Sequence, residues 1–486
     1  MKFAIPKLCL MFVLTAQLCL AQEVQKSTID DQKNVEVTVY NSDIGLVKDT
    51  RRINLRQGEG ELRFMDVAAY INPVTVHIKS LNNPKSFMVL EQNYEYDLMD
   101  ANKLLDKYVG QKVKLLTYNE YQDKKEEIEA ELLSNNNGQI FKIGNEIHLG
   151  HPGFKILPKI PENLIAKPTL SWQYDNSGAK EHEVEVSYLT NYINWKADYI
   201  VVLNQDDTKA DLSGWVSLDN RSGTMYNNAK LKLVAGEINR VYDAVGGLRS
   251  DMVAKSAMAM ESAPQFVEQG FFEYHIYDLQ RRTTIKNNQT KQINLLEAAD
   301  IKTEKELLVH GQNYYFIGQY AGQELKDPVE VFVKFKNEKE NNLGMPLPAG
   351  TMRLYKKDQE DSLQFIGEDR IEHTPKDEEV ELKIGKAFDV VEERKQSAFQ
   401  SEYLGGDYVY ESEWEITLRN HKEEDVVVGI IEPMAYANWQ ILTATHPYEK
   451  KDAFTVQFTV PVPKDKEVKL IYRIEVSSSK SRLSKQ

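Results

Sequence analysis

The stretch Glu183–Leu203, EVEVSYLTNYINWKADYIVVL, alternates apolar and polar residues with a period of two and then changes phase. Val184, Val186 and Tyr188 hold even positions, whereas Ile193, Trp195, Ala197, Tyr199, Val201 and Leu203 hold odd ones. A period of two marks a strand with one buried face. A slip of one residue turns that face over, so the switch at Leu189–Tyr192 requires a bulge or short turn leading to the other face or the next strand. Asn191 suits the left-handed backbone such a turn needs. The odd set is then expected in a core, with Trp195 and Tyr199 inside and Lys196 and Asp198 on one polar face.

The same period recurs along the chain. NVEVTVYNSDIGLVKDTRRINLRQGEGELRFMDV alternates twice and turns at Asn41–Asp43 and Gln57–Gly60, as a meander does. Together with VTVHIKS and SFMVLEQNYEY it predicts an N-terminal β domain over 34–96. Leu98, Leu104, Leu105 and Tyr108 share one face at helical spacing, with Gly110 where a helix would stop. Short strands with polar turns follow to about Pro161, so 97–165 reads as a short helix plus a small β unit resembling a barrel. Residues 168–245 and 266–320 read as two parts of a central β domain. Between them GGLRSDMVAKSAMAMESAPQ, 246–265, lacks aromatics and alternation and reads as a flexible linker, with Met252, Met258 and Met260 as an alternative sticky face. Residues 328–478 read as a C-terminal sandwich. The fold class is therefore all-β, mainly antiparallel sandwiches, with a short helix and a small barrel-like insert.

The leader MKFAIPKLCLMFVLTAQLCLAQEV has Lys2 and Lys7 before a short apolar run and small residues before Ala21. It predicts a secretory signal over 1–21 and a periplasmic or extracellular protein. The alternative is lipidation at Cys19, for which the preceding Leu18 is a poor match. Cys9 and Cys19 are the two cysteines of the chain, so cleavage after Ala21 leaves a cysteine-free mature protein without disulfides or thiolate chemistry. The formal charge is −14, and −16 without Lys2 and Lys7, which disfavours nucleic acid and anionic membranes as partners.

Several phrases in the middle and C-terminal parts belong together. They include SYLTNYINWKADYIVVL, LDNRSGTMYNNAKLKLVAGEIN, LGMPLPAGTMRLYKKD and NHKEEDVVVGIIEPMAYANWQI. In order along the chain they resemble the mucoidy-inhibitor-A-like family, exported bacterial proteins with a β-rich domain of unknown function, and VYNSDIGLVKDTRRINLRQGEGELRFMDV resembles its accompanying N-terminal β domain. The resemblance implies a link to exopolysaccharide or another cell-surface phenotype and brings no catalytic residues with it. Two departures stand out. A short helix and a β unit occupy the place of the family's long coiled coil. Met225–Tyr226 replaces its acidic residue and Trp, which makes Tyr226 an expected aromatic core plug.

Chemistry-bearing motifs are sparse. His148 and His151 lie three apart at a turn without the spacing of a zinc site, and Asp206, Asp207 and Asp211 lack the pattern of a calcium loop. No nucleophile elbow or phosphate-binding glycine loop is present, so no catalytic residue, metal or cofactor is assigned. The densest polar group is Glu368, Asp369, Arg370, Glu372 and His373, followed by Asp389, Glu392, Glu393 and Arg394. Glu368, Arg370, His373, Asp389 and Arg394 are candidates for holding a polar ligand; the alternative is a ladder of cross-strand ion pairs. Tyr274, Tyr277, Tyr408 and Tyr410 are candidate platforms for sugar rings or protein partners, since tyrosine offers a flat apolar face with a polar tip. Two functions follow: a non-enzymatic binding or scaffolding protein of the envelope, its partner a glycan or another envelope protein, or a secreted hydrolase whose site forms only in the fold. The oligomeric state is open.

Overall fold

A computed structural model describes residues 24–95, 99–119, 123–160, 165–236, 239, 265–320, 322–404 and 406–478. The expected leader, Leu98 and residues 246–264 of the expected linker lie outside these. The fold is all-β, as the alternation predicts, and no helix among the described residues is long and apolar enough to cross a membrane.

Eighteen strands frame the two sandwiches. The first eight are β1 (Gln32–Tyr40), β2 (Ile44–Asn54), β3 (Glu181–Asn191), β4 (Ile193–Leu203), β5 (Lys209–Asn220), β6 (Tyr226–Ala235), β7 (Thr283–Ile285) and β8 (Gln289–Lys302). Then come β9 (Glu304–His310), β10 (Glu330–Lys336), β11 (Gly350–Lys357), β12 (Leu363–Ile371) and β13 (Glu379–Lys386). The last are β14 (Val390–Leu404), β15 (Asp407–Asn420), β16 (Val426–Pro433), β17 (Thr455–Val462) and β18 (Glu467–Ser477).

In the first sandwich β2 pairs antiparallel with β1 and β3, β5 with β4 and β8, while β6 runs parallel to β1 and antiparallel to β7. The second repeats this wiring. There β10 pairs antiparallel with β9 and β13, β15 with β14 and β18, while β16 runs parallel to β9 and antiparallel to β17. Even the turn after the long central strand is shared. Asn220 donates from Nδ2 to the Thr224 and Lys286 carbonyls and accepts the Ser222 N–H; Asn420 donates to Glu424 and Val462 and accepts the Lys422 N–H.

The phase change is where the chain passes from one sheet of the first sandwich to the other. Strands β3 and β4 lie in different sheets. The single residue between them, Tyr192, has φ +60°, so Tyr192 and not Asn191 takes the left-handed conformation. Its ring lies edge-on to Tyr70 at 4.4 Å between centroids. Trp195 and Tyr199 are buried, and their polar tips are satisfied at the Val234 and Pro348 carbonyls. Lys196 is exposed, and Asp198 on the same face accepts from Ser217 Oγ at 2.7 Å and from Arg353 at 3.1 Å. Tyr226 is buried, as expected of a core plug.

Local pattern and spatial neighbourhood part company at the expected domain boundaries. Residues 34–96 do not close on a core of their own: β1 and β2 pair with β6 and β3, and Val37 and Leu62 share one core with Trp195, Leu231 and Met352. The expected boundary near 328 is crossed twice. Strand β9, before it, belongs to the second sandwich, while β11, after it, extends the first by running parallel to β4. Alternation specifies a face but not the strand beside it, and these pairings join segments far apart in sequence.

The small unit has helix α1 (Ala101–Lys107), capped by Asp100, with Leu105 and Tyr108 packed on Val113, Leu115 and Phe141. Its five strands follow the order 146–149, 140–143, 124–134, 112–119, 154–156. Four residues, 150–153, join the two edges, which in a flat sheet would lie about 19 Å apart. Residues 149 to 154 reach only about 18 Å when fully extended, so the sheet must curl. The expected barrel does not close, because no ladder joins its edge strands.

Replacing Trp195 by Ala removes a buried ring and its hydrogen bond at the entrance to β4. We expect a loss of about 3–5 kcal/mol in stability, read as a lower denaturation midpoint with unchanged slope. A variant within 1 kcal/mol of the parent would show that the phase change is not anchored here.

Candidate functional site

The polar candidates separate. Glu368 on β12 pairs with Arg353 Nε at 3.2 Å on an open face, and Arg370 is exposed beside it. His373 accepts the Ala349 N–H at 3.1 Å and lies 3.3 Å from Asn41, tying two loops together. Asp389 is exposed between β13 and β14. Glu393 is held down to about 2 by hydrogen bonds and charge from Arg419 and Lys326. Glu368 and Glu393 form ion pairs and His373 a loop tie, and these candidates do not converge on one ligand position.

Arg394 lies elsewhere altogether. It is buried inside the second sandwich, where inward-facing positions of β14 place both Glu392 and Arg394. Its Nε lies 3.0 Å from both Glu392 and Asp327, its Nη1 3.0 Å from Glu432 on β16, and its guanidinium carbon 4.9 Å from the centre of the Tyr315 ring. Tyr472 on β18 donates to the same Glu432 at 3.0 Å. Gly311 leaves the room, since a Cβ there would stand 1.9 Å from Glu432 Oε2. Three carboxyl groups around one guanidinium cannot all ionise cheaply out of water. Burial drives Glu392 up to about 7 against the pull of Arg394, and drives Glu432 up for the same reason. The arrangement is an inter-sheet tie, so Arg394 is a core residue and not a surface ligand.

The tyrosines divide in the same way. Tyr277 is buried, donates to the Pro346 carbonyl at 2.9 Å and lies 6.1 Å from Trp195. Tyr274 is half-buried, 6.1 Å from the exposed Phe272. Tyr408 and Tyr410 are different. Along β15 the inward positions Leu418, Ile416, Trp414 and Ser412 are buried, Tyr410 is half-buried and Tyr408 is 48% exposed. Along β14 the series Glu392, Arg394, Gln396 passes a bulge and continues as Phe399, Ser401 and Tyr403, the last 61% exposed. The core-facing surface of the second sandwich thus runs out into solvent on the β14–β15 hairpin.

Four rings line that surface. Tyr403 stands 4.8 Å from Tyr408, Tyr408 stacks on Tyr410 at 5.8 Å and 14°, and Tyr410 stacks on Phe399 at 6.4 Å and 30°. Register explains the row: Tyr403 is directly opposite Tyr408, and Phe399 is diagonal to Tyr410. Tyr403 and Phe399 are absent from the sequence-derived candidates. Folding SEYLGGDYVYESEW back on its glycines would have exposed the Tyr403–Tyr408 pair. Glu432, Asp327 and Tyr472 gave no such signal, because nothing local marks a polar residue as buried.

Among the described residues no group of three or more His, Cys, Asp or Glu could hold a metal ion, and the His151 ring accepts the Gly153 N–H within its own turn. No protein-family model matches the chain, and no curated protein matches it significantly.

The folded-state value near 7 at Glu392 fixes a sign. A carboxyl raised above its unfolded value binds more protons folded than unfolded, so its contribution falls as pH rises from about 4.5 through 7. Glu392→Gln should therefore flatten the pH dependence of stability, with a wild-type minus variant difference that changes by on the order of 3 kcal/mol at most between pH 4.5 and 8. Urea melts across that range test it. A difference independent of pH would show that Glu392 titrates normally.

Proposed function

We propose that this chain is an exported binding protein of the bacterial envelope that holds an extended glycan along the row Phe399, Tyr410, Tyr408 and Tyr403. The observation that carries the reading is the row itself. A sheet face that is core over most of its length stays aromatic where it emerges from half-buried Phe399 and Tyr410 to exposed Tyr408 and Tyr403. Sugar rings stack on such rings through their apolar C–H faces, while the phenol tips reach the hydroxyls. Tyr403 and Tyr408 lie side by side across the hairpin, and Tyr410 and Phe399 lie farther along it, so a chain of linked sugars laid along the hairpin meets rings at more than one position. The leader-like N-terminus and the resemblance to exported mucoidy-inhibitor-A-like proteins support an envelope setting and a polysaccharide partner.

Affinity electrophoresis of the purified chain through gels containing envelope polysaccharide tests this. Retardation of the wild type is expected, with Tyr403→Ala/Tyr408→Ala binding about tenfold or more weaker, from the loss of two stacking faces. Both residues are exposed, so the double variant should keep its circular dichroism and melting midpoint. Equal retardation of the two proteins, or none of the wild type by any envelope polysaccharide, would overturn the reading.

A further inference from the structure

A second site lies where the two sandwiches meet. A cleft of about 320 Å³ opens between the end of β4, strands β9 to β13 and the turn after β15. We propose that it binds a small anionic amphiphile, a short acyl chain ending in a carboxylate or a phosphate.

The apolar half of the cleft is built by two irregularities of the backbone. On β12 the ladder passes from Gly367 opposite Leu354 to Phe365 opposite Tyr355, so Ile366 is the extra residue of a bulge. On β13 it passes from Gly385 opposite Val331 to Lys383 opposite Phe332, which leaves Ile384 in the same position. A bulge re-aims the side chain it carries, and both of these isoleucines line the cleft. Leu203 and Val333 line it too, and both are buried. Phe388 also lines it and is 94% exposed, an apolar ring left in water beside an apolar hollow. Gly385 leaves the wall bare: a Cβ there would meet no atom within 4 Å.

The polar half is cationic. Lys305, Lys356, Lys386 and Lys422 line the cleft against only Asp207 and Asp389, in a chain whose net charge is −14. Asp207 is already engaged, with Lys305 at 2.7 Å and Lys356 at 2.5 Å. Burial works to raise its pKa, but those two ammonium groups bring it below the ordinary value, so it stays ionised. Lys422 is paired at 3.6 Å with Glu424, which is exposed. A local excess of positive charge beside apolar walls selects a ligand with an anionic head and a hydrocarbon tail. A neutral hydrocarbon would leave the charge unused, and a bare anion would leave the isoleucines and Phe388 in water. The volume is at the small end for ligand sites, which favours a short chain.

Equilibrium dialysis of the purified chain against radiolabelled octanoate, octyl phosphate, octanol and acetate tests the proposal. Saturable binding of octanoate or octyl phosphate is expected at one per chain, with octanol and acetate at least tenfold weaker; the stronger of the first two identifies the head group. Lys386→Glu/Lys422→Glu should weaken binding at least tenfold, and Gly385→Phe should abolish it by filling the hollow. Should Gly385→Phe fail to fold, the double lysine variant decides. Octanol binding as well as octanoate would reduce the cleft to an apolar surface. Acetate binding as well as octanoate would reduce it to a simple anion site. Either result, or unchanged octanoate binding in both variants, overturns the proposal.

Discussion

A strand in a sandwich can bury only one of its two faces, and every passage between sheets has to respect that parity. At Asn191–Ile193 the chain meets the constraint with one residue. Tyr192 takes φ +60°, its carbonyl accepts the Arg221 N–H, and the buried set moves from even to odd positions. Everything after it depends on that step. Without it Trp195, Tyr199 and Val201 would face water, and Lys196 and Asp198 would enter the core. A tyrosine in the left-handed region costs backbone energy, and the edge-to-face contact with Tyr70 offsets part of that cost.

The wiring of β1 to β8, repeated by β9, β10 and β13 to β18, places a second sandwich under the same rules. Asn220 and Asn420 close the turn after the central strand with the same three hydrogen bonds, although the residues around them differ. What the turn needs is a side-chain amide able to donate twice and accept once from a fixed point. The two copies diverge elsewhere. The first buries one guanidinium, Arg51 of β2, with a single carboxylate, Asp49, over the Phe64 ring, while the second surrounds its buried guanidinium with three carboxyl groups.

How far the sequence can be read follows from this. Alternation showed the fold class, the buried faces of β3 and β4 and the switch between them, because each is a local property of period two. It misplaced the left-handed residue by one, since Asn is the usual occupant and tertiary packing chose Tyr192. It drew the domain boundaries at turns, whereas the parallel pairings of β1 with β6, β4 with β11 and β9 with β16 sew distant segments together. Of the site residues, Tyr408 and Tyr410 were legible as aromatics near a turn. Arg394 was legible as a charge only, and its burial depends on Glu432 and Asp327, which no local pattern connects to it.

The position of Arg394 nevertheless bears on the aromatic row. Strand β14 carries both, with the tie at Glu392–Arg394 inside the sandwich and Phe399 and Tyr403 beyond its bulge. On its β15 side the hairpin is laddered to β18 as far as Val409, opposite Ser477, and the tie adds a second hold at its root. The guanidinium fixes that root to the opposite sheet through Glu432, and Tyr472 holds the same carboxylate from β18. Such a buried tie is a costly way to gain stability, since well-packed apolar residues of similar volume do as well or better. What it adds is direction: each hydrogen bond fixes an angle that a methyl contact leaves free. The rings near the hairpin tip take their orientation from that root through the β14, β15 and β18 ladders.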